Sequence, residues 1–179
     1  SGNLSGTGTI TKTGNSTLTL SGASKTNTGD VTINAGTVSV TNGALNTNIT
    51  VNSGATLTTN SNYLLAQSGG KILTINGGTL TLGNFANEPS GGIVLNNATI
   101  NGNLSSGSIL AQGIGWSATG NNTINQQVAL EHAKTNSWFF NIQSGTTTIN
   151  SNVITTNDLN ITVGNNQNTG AALNNAGID

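Results

Sequence analysis

The chain has 179 residues, enough for one domain, and is 33% hydrophobic but only 3% aromatic. Four lysines, no arginine and five acidic residues leave no basic face for phosphate contacts, which excludes a nucleic-acid partner. Cysteine is absent, so there is no disulfide framework or thiolate metal site, and no apolar run approaches the roughly 18 residues of a membrane span.

In chain order, Ser1–Gly22 predicts two short strands, with Ile10, Leu18 and Leu20 facing inward and a turn at Gly14-Asn15. The next stretch, Thr26–Val40, reads TNTGDVTINAGTVSV. Val31, Ile33, Val38 and Val40 alternate with Thr32, Thr37 and Ser39 around the bend Asn34-Ala35-Gly36, so two strands each turn an apolar row to the same side. One such unit cannot bury that row alone. Ile33–Val40 recurs without gaps at Ile75–Leu82 and at Ile142–Ile149, with looser copies from Val51, Leu95 and Thr123. From Ile33 to Val51, Ile75 and Leu95 the spacing is 18, 24 and 20 residues. A drifting period of this size, with strands and small-residue turns in each copy, is a solenoid signature and argues against a disordered polar chain.

The sequence therefore predicts a single all-β domain over residues 1–179: a parallel β-helix, right-handed, of about eight coils, with loop insertions near 61–71 and 85–92. Layers about 4.8 Å apart would make a rod on the order of 40 Å long. Asn34, Asn52, Asn76 and Asn96 each follow an inward residue, where side-chain amides of successive coils can bond to one another. As single residues they also suit turns.

The stretch from Leu4 to Val40 resembles the passenger-associated repeat, also called the autotransporter-associated β-strand repeat, of bacterial surface proteins. Asn48–Thr59, with NSGATL, is similar to the segment that follows in that family, and Asn121–Asn160 resembles another of its stretches. Tyr63–Lys71, Pro89–Gly92 and Ile109–Thr119 depart from the pattern. The resemblance implies a right-handed parallel β-helix, export to the bacterial cell surface and a stalk or adhesin role, without catalysis. Any signal peptide, anchor or translocating barrel lies outside these residues.

For chemistry the chain offers little. Asp30, Glu88, Asp158 and Asp179 fall singly in predicted turns, with no paired carboxylates for glycoside hydrolysis and no arginine for a uronate, so no catalytic residues and no enzyme are expected. No cofactor is implied, and a single histidine without cysteine makes no zinc site. The densest cluster is Glu131-His132-Ala133-Lys134 followed by Trp138-Phe139-Phe140. Glu131, His132, Trp138 and Phe139 are the ligand-contact candidates, a patch that would stack on and hydrogen-bond a surface glycan or a receptor on a host or neighbouring cell. The competing reading puts Trp138 and Phe140 into the core with Phe139 opposite, and the balance favours it. Thr-x-Thr pairs at Thr17/Thr19, Thr56/Thr58, Thr79/Thr81 and Thr146/Thr148 suggest the hydroxyl grid of an ice-binding face, but the uneven coil lengths argue against a flat one.

Neither end reads as a cap, so the expected partner is a longer parent chain or a second copy stacked end to end. The function expected is an extracellular structural or adhesive element: stalk, adhesin segment or filament subunit. Lys25 reads as a dispensable surface charge, in contrast to Ile33 in the core.

Overall fold

A computed structural model describes residues 2–60, 65–66, 68–83, 86–87, 89–102, 107–110, 115–125, 128–132, 138–150, 153–155, 159–164 and 172–175, together with the side chains of most of them. Among these residues there are strands and no helix, and each strand pairing is parallel. The chain winds over three faces in turn. Face 1 receives β1 (Leu4–Gly6), β4 (Lys25–Asn27), β11 (Ala86–Asn87), β14 (Gly107–Leu110), β17 (Val128–His132) and β20 (Val153–Thr155). Face 2 is an eight-stranded sheet of β2 (Ile10–Lys12), β5 (Val31–Ile33), β7 (Ile49–Asn52), β9 (Ile72–Asn76), β12 (Gly92–Asn96), β15 (Trp116–Thr119), β18 (Trp138–Ile142) and β21 (Leu159–Val163). Face 3 is a second eight-stranded sheet of β3 (Thr17–Leu20), β6 (Gly36–Val40), β8 (Ala55–Thr59), β10 (Thr79–Leu82), β13 (Thr99–Gly102), β16 (Asn122–Ile124), β19 (Thr146–Ile149) and β22 (Ala172–Asn175).

This is the parallel β-solenoid that the repeats predict. Faces 2 and 3 each hold eight strands, and six of these turns also carry a strand on face 1 among the described residues. Between β4 and β11 face 1 narrows to a single bridge, Leu45 to Leu65. Leu65 and Ala66, inside one expected insertion, are fully buried, and the Ala66 N–H donates to the Leu45 carbonyl at 2.9 Å. Residues 61–64, 67, 85 and 88 of the two expected insertions lie outside the described residues.

Alternation places the core. On face 2 the inward column runs Ile33, Val51, Ile75, Leu95, Ala118, Ile142, each 0% exposed and in register with the next. On face 3 it runs Val38, Leu57, Leu80, Ile100, Ile124, Ile149. Each Val, Leu or Ile of these columns contributes roughly 1.5–3 kcal/mol of burial, opposed by chain ordering of similar size.

The ungapped alignment of Ile142–Ile149 onto Ile33–Val40 needs one correction. Ile149 stacks in the column of Val38, two places from the expected Val40. The corner from Gln143 to Thr147 holds two residues more than Asn34 to Gly36, and the excess is absorbed there. A shift of two leaves the side-chain alternation intact, which is why the pattern matched despite it. The corners between faces 2 and 3 each need a left-handed residue, supplied by Gly36 (φ 68°) and, without glycine, by Asn97 (φ 50°).

Candidate functional site

The polar positions of the solenoid are stacked as regularly as its core. At the end of face 2, the Asn52 amide donates to Asn34 Oδ1 at 2.7 Å, Asn76 to Asn52 Oδ1 at 3.2 Å and Asn96 to Asn76 Oδ1 at 2.8 Å. The amide ladder expected from the sequence therefore joins four successive coils across gaps of 18, 24 and 20 residues. It stops where Thr119 takes the next place in register and turns its hydroxyl to the Leu95 carbonyl at 3.3 Å. A shorter ladder, Asn125 to Asn101 at 2.5 Å, runs on face 3.

Face 3 also carries a column of threonines. Thr17, Thr37, Thr56, Thr79, Thr99, Thr123 and Thr148 follow one another in register, beside a second column of Thr19, Ser39, Thr58 and Thr81. These side chains face outward, half-buried or exposed, and carry no charge. Uneven coil lengths, taken from the sequence as an argument against a grid, do not disturb it: extra residues collect at corners and the strands stay aligned.

Among the candidates for ligand contact, Glu131 and His132 stand on β17 of face 1, while Trp138 and Phe139 stand on β18 of face 2. The two strands belong to one coil, and residues 133–137 between them, like the four side chains, lie outside the described residues. Their neighbour Phe140 is 2% exposed, and its ring lies 5.5 Å from that of Trp116 at an interplanar angle of 4°. Phe140 is thus core, as the structural reading of the cluster expects.

Trp116 went unrecognised in the sequence because Ile109–Thr119 matches no repeat copy. In the fold it takes the inward column between Ile93 and Phe140 and is fully buried, with its indole N–H lacking a hydrogen-bond partner. Asn122 was also missed. Its buried amide accepts from the Ala98 N–H at 2.9 Å and donates to the Thr119 and Gly120 carbonyls and to Thr147 Oγ1. An aliphatic-poor corner gives no sequence signal for such a residue.

Lys25 overturns the expectation that it is a dispensable surface charge. Only 9% exposed, it projects from β4 and donates to the carbonyls of Gly22 at 2.7 Å, Gly43 at 3.0 Å and Asn42. Its ammonium thereby satisfies carbonyls of two successive coils. Burial lowers its pKa from the usual 10.5 by removing water from the charged form. Among the described residues, no group of three or more His, Cys, Asp or Glu is placed to hold a metal.

No family model, curated protein or solved structure matches this chain. What the geometry offers is extended, periodic surface with few charges.

Proposed function

We propose that the chain is an extracellular structural or adhesive element of a bacterial surface protein: a stalk or adhesin segment, or a subunit of a head-to-tail filament. The observation that carries this is the unbroken stacking of face 2, where apolar columns inside and an amide ladder outside tie successive coils together. Such a rod resists local opening because each coil is held by the two beside it. The repeat resemblance of Leu4–Val40 adds export to the cell surface and the absence of catalysis. Antibody raised against the folded chain should label intact, unpermeabilised cells of the source organism. Labelling only after permeabilisation would refute the location.

A second reading is favoured by one observation, the seven in-register threonines of face 3. Rows repeat every 4.7–4.9 Å along the rod, with columns roughly 7 Å apart across it. A rigid hydroxyl and methyl lattice of this kind suits binding to ice. The purified chain should then slow recrystallisation of ice, and Thr79→Lys should abolish the effect while Thr74→Lys, on face 2, leaves it. No effect from the unmodified chain sinks this reading alone.

A further inference from the structure

An asparagine followed by glycine is a chemically weak point in a chain, because glycine puts no side chain around its own nitrogen, and that nitrogen can attack the asparagine amide carbon. The sequence has three such pairs: Asn42-Gly43, Asn76-Gly77 and Asn101-Gly102. All three lie within the stacked coils, and their surroundings differ.

Two of them are held shut. Asn76 ends β9, and its amide is fixed from both sides, donating to Asn52 Oδ1 at 3.2 Å and accepting from Asn96 at 2.8 Å. The Gly77 N–H is committed as well, donating to the Asn96 carbonyl at 2.7 Å. Asn101 and Gly102 lie within β13, paired with Thr81 and Leu82, and Asn101 Oδ1 accepts from Asn125 at 2.5 Å. Ring closure has to bring the asparagine Cβ and the next nitrogen to one side of the Cα–C bond. That is a rotation away from extended backbone, and a strand paired into its ladder resists it.

Asn42 is built differently. It is exposed and lies in a bend after β6, outside any strand. The Gly43 N–H donates to Asn42 Oδ1 at 2.9 Å, so the attacking nitrogen already lies against the oxygen of the amide it would attack. Gly43 is itself fixed: at φ 65° an added Cβ would meet the Ala23 carbonyl oxygen of the preceding coil at 2.4 Å. Lys25 supplies the second element. From the preceding coil its ammonium donates to the Asn42 carbonyl, to Gly43 at 3.0 Å and to Gly22 at 2.7 Å. The Asn42 carbonyl belongs to the same peptide unit as the Gly43 nitrogen. When that nitrogen loses its proton the negative charge is shared with the carbonyl oxygen, where a positioned cation meets it.

We infer that Asn42-Gly43 is a self-modifying site, at which the folded chain converts Asn42 to aspartate and isoaspartate with the Lys25 ammonium as electrostatic catalyst. Solvent hydroxide takes the Gly43 amide proton, the nitrogen bonds to Asn42 Cγ, and the Cγ–Nδ2 bond breaks, the leaving nitrogen taking a proton from water and departing as ammonia. Water then opens the succinimide. Cleavage of the new Cγ–N bond leaves aspartate, whereas cleavage of the bond from the Asn42 backbone carbonyl carbon to the Gly43 nitrogen leaves isoaspartate. Either product sets a carboxylate at a corner that was neutral, so a molecule gains negative charge with age. The inference rests on the stacking of the coils and not on the surface role proposed above.

The test follows the unmodified chain over weeks at neutral pH, folded and in guanidinium chloride, by peptide mass spectrometry, where each conversion adds about 1 Da. In the folded chain Asn42 should convert at least about tenfold faster than Asn76 or Asn101, and in denaturant the three should convert at similar rates. Lys25→Met should slow conversion at Asn42 about tenfold, with folding checked by circular dichroism, and Lys25→Arg, which keeps a cation at these carbonyls, should retain the rate. Lys25→Gln, which keeps a donor there without charge, is the milder variant should Lys25→Met not fold, and it should slow the reaction too. An intact Asn42, or three pairs converting alike in the folded chain, would overturn the inference. Conversion in a folded Lys25→Met or Lys25→Gln chain as fast as in the unmodified one would overturn the part given to Lys25.

Discussion

Trp116 sets two opposing effects against each other at a single buried ring. It is fully buried and stacked on Phe140 with ring centroids 5.5 Å apart, so Trp116→Ala should cost about 3–5 kcal/mol through lost burial and the cavity left behind. The lost ring contact is worth about 0.5–1.5 kcal/mol of that figure. The indole N–H has no partner, however, and such a buried donor costs roughly 1–3 kcal/mol. Trp116→Phe keeps a ring against Phe140 and removes the donor, while losing roughly 1–2 kcal/mol of buried area. The two nearly cancel, which places Trp116→Phe within about 1 kcal/mol of the unmodified chain. For a chain of this size about 1 kcal/mol moves the melting temperature by about 2–4 °C, so Ala should lower it by roughly 6–20 °C and Phe by no more than about 4 °C. Thermal melts followed by circular dichroism decide it. Equal losses for Phe and Ala would refute the reasoning, because they would mean that neither the stacked ring nor the orphaned donor matters.

Further outcomes follow from the ladder, a corner and the buried lysine. Asn76→Ala breaks bonds to Asn52 and Asn96 on a solvated edge and should cost about 1–2 kcal/mol; Asn76→Asp should cost more in urea titrations, since its carboxylate would face the Asn52 oxygen that now accepts. Gly145→Ala places a methyl 2.3 Å from the Gly120 carbonyl oxygen at φ 72°, so a loss of at least about 2 kcal/mol is expected from the same titrations. Lys25→Ala leaves three carbonyls without their donor and should cost about 1–3 kcal/mol. With its folded pKa below 10.5, Lys25 binds its proton more weakly in the folded chain than in the unfolded one, so stability should rise with pH through the window just below 10.5. Melts across that window should show the slope in the unmodified chain and not in Lys25→Met.

The fold was legible in the sequence wherever a strand's own residues dictate its position. Ile33, Ile75 and Ile142 announce face 2 by alternation, and their register is as the repeats place it. Asn34, Asn52, Asn76 and Asn96 announce the ladder by holding one offset from those residues. Face 3 was less legible past Asn122, because the length of a corner is set by backbone geometry and not by apolar spacing. Lys25 and Asn122 were opaque for a related reason: each satisfies carbonyls or amides brought near by neighbouring coils, a need that arises only once the coils are stacked. Trp116 had no repeat partner to mark it, and its aromatic layer with Phe140 exists only across a gap of 24 residues. The Glu131–Phe139 candidates were named from composition, and the strands place them on two faces of one coil.

The central claim is that residues far apart in sequence stack one layer per coil. Double electron–electron resonance tests it directly, since the chain has no cysteine and labels can be placed at will on the outward threonine column. Thr37 and Thr123 stand four layers apart and Thr17 and Thr148 six, so Cα separations of roughly 19 Å and 29 Å are expected, with the difference set by two strand spacings. Two narrow distributions whose centres differ by roughly 10 Å would bear out the stack. Broad distributions, or centres that do not grow with the number of layers, would contradict it.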